Sequence, residues 1–264
     1  MDGLSVRQKL LSFAPMDFAT NWRPGQALAA AGGMMVLMLL LDLAAFAAVL
    51  SWSNPGTLGS DAAFQALSDT EKYFPAIVSG LVMQLALIAG LLWLVGRGGT
   101  TARKVLMLNP PEGGLGASLR AVGGFLLLTY LLAGAVYLLF PYDPLEVAPF
   151  MKALINSPYW WVLLIMIVFG APLFEELWFR GFLFPALAQS KLGVAGAAIV
   201  SSGLWTLLHL GYPPQVLVVV FVIGLFLTDA LLRSGSLWLP IACHAIYNGS
   251  SFAYFLMLSQ QPPA

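Results

Sequence analysis

Seven apolar runs shape this chain, near 26–50, 74–96, 117–140, 159–188, 190–210, 214–232 and 236–258. At about 1.5 Å per helical residue each is long enough, or nearly so, to cross a hydrocarbon core of about 30 Å. Short polar or Pro/Gly-rich connectors separate them: Ser51 to Lys72, Arg97 to Gly116, Pro141 to Pro158, Gly211 to Pro214 and Arg233 to Gly235. The fourth run is long and contains Gly170-Ala-Pro172, where proline is expected to kink the helix or split it. Such a split, or the N-terminal stretch, supplies an eighth segment; Gly3 to Phe13 reads as a short interfacial helix. The expected fold class is therefore all-α, a polytopic membrane helix bundle with seven to eight transmembrane helices. With no internal repeat, linker or low-complexity tract, 1–264 reads as a single membrane domain. Residues 1–25 form its cytoplasmic or interfacial N-terminus, and its distinctive polar residues collect on 159–258.

Composition supports this. Of the 264 residues 59% are hydrophobic and 9% charged, against about 25% charged in soluble domains. Net charge is zero, which gives no argument for nucleic acid or an acidic partner. Cys243 is the single cysteine, which excludes an internal disulfide and a Cys-rich zinc site. The first 23 residues mix charges with short apolar runs and lack a signal peptide's uninterrupted stretch. Lys and Arg set the orientation. With the N-terminus in the cytoplasm, Arg7, Lys9, Arg23, Arg97, Arg103, Lys104, Arg120, Lys191 and Arg233 lie inside, and Lys72 and Lys152 outside. Tyr159, Trp160 and Trp161 then stand where an outer aromatic belt belongs. Seven spans place the C-terminus outside; eight reverse it. The short loops and Ala/Gly-rich helices point to a bacterial inner membrane.

Charges within the apolar runs are the anomaly. Glu175, Glu176 and Arg180 fall inside the fourth run, where each costs roughly 2.5–3.5 kcal/mol on insertion scales. His209, His244 and Asn248 lie in later runs. Residues four apart share a helix face and neighbours point about 100° apart. Glu176 and Arg180 are thus expected to pair, leaving Glu175 free to act elsewhere. His244 and Asn248 share a face, and Trp205, one turn before His209, can shield it. Counted from the cytoplasmic helix ends at about 1.5 Å per residue, Glu175 lies about 20 Å deep, His209 about 28 Å, His244 about 13 Å and Asn248 about 20 Å. All four fall within the bilayer slab, so a shared cavity is geometrically allowed. A carboxylate and an imidazole around one water can remove its proton. A second imidazole and an amide NH2 can donate to a developing oxyanion. Together these can hydrolyse an amide without a covalent intermediate and without a metal or other cofactor.

The motifs Glu175-Glu176-Leu-Trp-Phe-Arg180, Trp205-Thr-Leu-Leu-His209 and His244-Ala-Ile-Tyr-Asn248 occur in that order on separate apolar runs. In this the chain resembles the type II CAAX proteases and their bacterial CPBP or Abi relatives, intramembrane glutamic endopeptidases with Glu-Glu-x-x-x-Arg, Phe-x-x-x-His and His-x-x-x-Asn motifs. Trp205 stands in place of the family's phenylalanine. The motifs cover about 170–250; the first 150 residues match only in being membrane-spanning. The resemblance implies an eight-helix bundle with a catalytic cavity open to the cytosol. It implies Glu175 as general base, His209 positioning the water, His244 and Asn248 as the oxyanion site, and Glu176 and Arg180 in support. The implied partners are a peptide or protein substrate, lipidated or not, and the lipid bilayer.

Other readings compete. Polar residues in membrane helices serve as interhelical glue, the reading adopted for Gln84. Asp229 lies four residues before Arg233, which predicts a helix-end ion pair; nothing in the sequence pairs with Asp42. Ser201 and Ser202 invite a Ser–His dyad, but no Gly-x-Ser-x-Gly elbow is present. Cys243 points about 100° away from His244. The Gly/Ala run Gly193 to Ala198 reads as close helix packing. Two histidines and a glutamate suit a zinc hydrolase, although no His-Glu-x-x-His pair occurs. A non-catalytic membrane peptide- or protein-binding scaffold is the third alternative; a transporter would show paired, similar halves.

Overall fold

The computed structural model describes residues 18–97, 101–147 and 149–260. The segment Gly3 to Phe13 lies outside them. Among the described residues every regular element is helical. The long helices are α1 (Pro24–Ser53), α2 (Asp69–Gly96), α3 (Gly114–Leu139), α4 (Trp160–Ala188), α5 (Gly193–Leu207), α6 (Pro214–Ser234) and α7 (Trp238–Ser259). Each corresponds to one of the seven apolar runs. Short helices at Asp61–Gln65, Ala102–Val105, Pro144–Val147 and Pro149–Leu154 occupy the connectors.

Helix ends follow local chemistry. Pro24 and Pro214 open α1 and α6, where a missing N–H leaves no helical bond unmade. At the start of α2, Ser68 and Glu71 form a reciprocal capping box: the Ser68 N–H donates to Glu71 Oε2 at 2.8 Å, and the Glu71 N–H to Ser68 Oγ at 3.4 Å. This starts α2 at Asp69, earlier than its apolar run. Gly235 ends α6 in the left-handed region (φ 61°) with its N–H on the Leu231 carbonyl. A Cβ there would stand 3.2 Å from the Glu112 carboxylate, a tight contact that this flexible side chain can relieve, so the positive φ is the stronger reason for glycine.

Helix α4 is not split at Gly170-Ala-Pro172. It widens instead, with π-type turns at Ile165–Gly170 and Glu176–Leu183. Each wide turn ends just before a residue that precedes proline, Ala171 before Pro172 and Phe184 before Pro185. The Ala171 N–H donates to the Met166 carbonyl and the Phe184 N–H to the Phe179 carbonyl, both five residues back. A proline ring clashes with the carbonyl four residues earlier and supplies no N–H. Five-residue bonding moves that carbonyl aside and keeps the helix continuous.

Five helices are long and apolar enough to cross a membrane: α1, α2, α3, α4 and α6. Helix α5 is apolar but has 15 residues. Helix α7 has 22 residues, its apolar character diluted by His244, Asn248, Gly249, Ser250 and Ser251. On α1, Val36, Leu37, Leu39, Leu40 and Leu43 are exposed, and on α3, Leu115, Leu119, Leu127, Leu128, Leu131, Leu138 and Leu139. Water-soluble monomers rarely expose apolar patches beyond a few hundred Å². Surfaces of this kind belong in lipid, and the protein is an integral membrane protein.

The chain gathers into two compact units. Among the described residues the first comprises 18–32, 90–97, 101–142 and 175–244; the second comprises 33–89, 143–147, 149–174 and 245–260. In the first, Phe179, Phe182, Leu183, Phe184 and Leu187 of α4 are almost wholly buried, with Val194 and Ala197 of α5 and Leu227 and Leu231 of α6. Small residues allow this density. A Cβ on Gly224 of α6 would lie 2.8 Å from the Cβ of Ser202 on α5 and 3.0 Å from Arg180 Nη2 on α4. In the second unit, Ile77, Met151, Leu154, Ile155, Val162, Leu163 and Phe252 form an apolar cluster. Asp42, unpaired in the sequence reading, accepts a 2.7 Å bond from Ser79 Oγ. Gln84 lies against α4, its Oε1 where a Cβ on Gly170 would stand, and that oxygen has no hydrogen-bond partner among the described residues.

Candidate active site

Five of the six candidate residues belong to the first unit: Glu175, Glu176 and Arg180 on α4, His209 just beyond α5, and His244 on α7. Glu176 and Arg180 have no solvent exposure and pair at 2.9 Å, one turn apart. Arg180 Nη2 also donates to the Gly224 carbonyl at 3.2 Å. The same Glu176 oxygen, Oε1, lies 3.0 Å from His244 Nδ1. A carboxylate oxygen accepts, so Nδ1 carries the proton in this contact. That turns His244 Nε2 toward Glu175, 3.9 Å from its Oε2.

Glu175 is held on its other side by α5. The Trp205 indole N–H donates to Glu175 Oε2. The Trp205 ring meets the rings of His209 and His244 edge-on, at 5.1 Å and 5.5 Å, and the Arg180 guanidinium lies 4.4 Å over its face. Trp205 is 2% exposed. The sequence reading gave it the task of shielding His209; it does pack on that ring, but its polar edge was missed. The signal was present in the residue type, since a buried indole N–H seeks a partner.

His209 was read as helical. Helix α5 stops at Leu207, and His209 sits in the turn that follows, its N–H on the Thr206 carbonyl at 2.9 Å. Gly211, Pro213 and Pro214 follow at once, which forbids continuing the helix. His209 Nδ1 lies 3.2 Å from the Trp205 carbonyl oxygen. That oxygen only accepts, so Nδ1 donates and a neutral ring keeps its lone pair on Nε2. Tyr212 packs on the same ring at 5.3 Å.

Asn248 belongs to the second unit and is one turn beyond His244 on α7. Its Nδ2 donates to the Ile167 carbonyl at 2.9 Å. The need for this bond follows from the wide turn in α4. In a regular helix that carbonyl would receive the Ala171 N–H, which here goes to Met166. The donor five residues on would be Pro172, which has none. Asn248 thus satisfies a carbonyl that the helix itself leaves open, using one of its two amide hydrogens. Asn248→Ala is expected to lower stability by about 1 kcal/mol, the lower end for orphaning a polar group because this bond is only partly buried, measured as a fall in detergent-solubilised unfolding midpoint. An unchanged midpoint would mean the carbonyl finds another donor.

Other polar residues resolve into structural roles. Ser201 Oγ donates to the Phe179 carbonyl at 2.9 Å, and neither Ser201 nor Ser202 has a recorded bond to a histidine. The expected Asp229–Arg233 ion pair forms, at 2.6 Å. Among the described residues no three His, Cys, Asp or Glu side chains stand as a group able to hold a metal ion. The cavity of about 450 Å³ in the second unit, lined by Trp52, Asn54, Glu71, Phe74 and Tyr159 among others, contains none of the six candidates.

The first unit thus presents a carboxylate, Glu175, between an indole N–H and an imidazole nitrogen, braced by a fully buried Glu–Arg pair. Such a group can take a proton from water and hold it nearby. Residues 157–250 match the protein family described as Type II CAAX prenyl endopeptidase Rce1-like. No curated protein and no solved structure matches the chain.

Proposed function

We propose, from the match of residues 157–250 to the Type II CAAX prenyl endopeptidase Rce1-like family, that this chain is an intramembrane endopeptidase of the glutamic type, cleaving a peptide bond near the cytosolic side of the bilayer. Seven helices, α1 to α7, span the membrane in this reading. The N-terminus is cytoplasmic in this reading, as the Lys/Arg distribution favours, and the short loops and Ala/Gly-rich helices favour a bacterial inner membrane. All 264 residues act as one membrane domain.

Glu175 is the general base. The observation that carries this is its setting: an acidic side chain 12% exposed, with His244 Nε2 at 3.9 Å and the Trp205 N–H on one oxygen. Glu175 retains solvent access, and its Oε1 takes no hydrogen bond from the described residues, whereas Glu176 has no solvent exposure and its Oε1 is engaged by Arg180 and His244. Glu175 takes a proton as water attacks the scissile carbonyl. His209, through its free Nε2, orients that water. Asn248, through its second amide hydrogen, and His244, through Nε2 in its doubly protonated form, donate hydrogen bonds to the oxyanion, roles assigned by the His-x-x-x-Asn motif; such preorganised stabilisation commonly lowers the barrier most. The proton on Glu175 then passes to the leaving amine. Glu176 and Arg180 fix His244 and the local backbone. The substrate is a membrane-associated peptide or protein, and the family's prenylated tails are one candidate class.

The test uses purified protein in proteoliposomes with a peptide ending Cys-aliphatic-aliphatic-X, farnesylated and unmodified. Cleavage of either is expected, at a rate that survives a zinc chelator. Activity lost to the chelator and restored by zinc would replace this mechanism with a metal-dependent one.

A further inference from the structure

Trp205 does more than fill space. Its indole N–H joins α5 to the carboxylate of Glu175 through a hydrogen bond. The phenylalanine of the family motif has the same flat apolar ring but no N–H. We propose that Trp205 is a positioning residue, whose indole N–H fixes the Glu175 carboxylate and links it to the buried Glu176–Arg180 pair. This rests on the reading of Glu175 as the base.

The link is a closed circuit of contacts. Glu176 Oε1 accepts from Arg180 Nη1 at 2.9 Å and from His244 Nδ1 at 3.0 Å. The Arg180 guanidinium lies 4.4 Å over the Trp205 ring, and the Trp205 N–H donates to Glu175 Oε2. His244 Nε2, 3.9 Å from that same oxygen, completes the ring. A cation over the π face draws electron density from the indole, which makes its N–H a better donor to a carboxylate. Hydrogen bonds to a charged group are stronger than those between neutral groups. Anchoring one oxygen of Glu175 leaves the other to meet the attacking water, and it fixes the carboxylate plane before substrate arrives. Water-borne solvation would do neither in a side chain this enclosed.

A comparison within the chain supplies the control. Trp178 is also buried, 5% exposed, but its indole N–H has no hydrogen-bond partner among the described residues. Trp178→Phe removes a ring nitrogen of the same kind without touching a carboxylate.

Two measurements decide the matter. In ¹⁵N-indole NMR of the full-length protein, the resonance that vanishes in Trp205→Phe is expected to lie downfield in wild type and to move upfield in Glu175→Ala. On the farnesylated reporter peptide, Trp205→Phe is expected to lose roughly ten- to a hundred-fold in kcat, the range for a hydrogen bond to an ionised group, with KM within about threefold by the logic of an interaction that acts on the chemical step. Trp178→Phe should keep both constants. An indole resonance indifferent to Glu175→Ala, or a Trp205→Phe enzyme with wild-type kcat, overturns the proposal and leaves the peptidase reading standing. A wild-type protein that cleaves nothing sinks the peptidase reading instead, while the NMR result still reports whether the indole holds the carboxylate.

Discussion

Replacing Glu175 with glutamine is expected to leave a folded, inserted protein whose cleavage falls by roughly 10²–10⁴-fold, the usual contribution of a general base. The substitution is nearly isosteric, and an amide oxygen can still accept the Trp205 N–H that the carboxylate now holds. What glutamine cannot do is take a proton from water. The prediction therefore separates chemistry from architecture. Thermal unfolding and membrane insertion should match wild type, and initial rates on the reporter peptide should not. Retained activity in the purified variant would end the mechanism, whatever the family relationship.

The second large effect is on stability. Arg180→Met should lower unfolding free energy by about 3–5 kcal/mol, because removing one partner of a buried ion pair strands the other. Both side chains are fully buried at 2.9 Å, so no solvent can take over from the guanidinium. Its other contact is less critical, since the Gly224 carbonyl also accepts from Thr228 Oγ1 at 3.0 Å. The companion test is the double change Glu176→Gln with Arg180→Met. It removes both charges and should recover much of the loss, as buried pairs often exchange for neutral groups at little cost. A single Arg180→Met variant as stable as wild type would show that Glu176 is neutralised by other means, with His244 the nearest group.

How far the sequence could be read differs residue by residue. Pairs set by helical spacing were legible. Glu176 with Arg180 and Asp229 with Arg233 both form, because four residues make one turn whatever surrounds the helix. A long helix in each of the seven apolar runs was legible, as was the integral membrane character, whereas five of those helices, not seven or eight, have the length and apolarity of a membrane span. Contacts between distant segments were not. Ser79 lies 37 residues from Asp42, and Trp205 lies 30 from Glu175; periodicity along one helix says nothing about which side chain arrives from another. The proline at 172 was legible as a disturbance but not as a wide turn. Which way a helix accommodates a proline depends on whether another group can satisfy the freed carbonyl, and here Asn248 does. His209 was drawn into a helix because the apolar run continues through Leu210. The glycine and prolines after it end the helix sooner than hydropathy does.

The circuit through Glu176, Arg180, Trp205, Glu175 and His244 also explains how three charges within six residues are accommodated in a largely buried setting. Each charged side chain contacts another, so the expense of burying it falls on a connected network rather than on isolated ions, although Glu176 Oε2 and Arg180 Nε have no hydrogen-bond partner among the described residues. Such a network leaves Glu175 partly open to solvent while committing Glu176.

The most direct test of Glu175 as a hydrolytic base is the peptide inventory of membranes from cells carrying the wild-type chain or Glu175→Gln at equal abundance, compared by mass spectrometry. The account predicts at least one shortened membrane polypeptide, with its released fragment, in wild-type cells alone. Identical inventories from the two would contradict it.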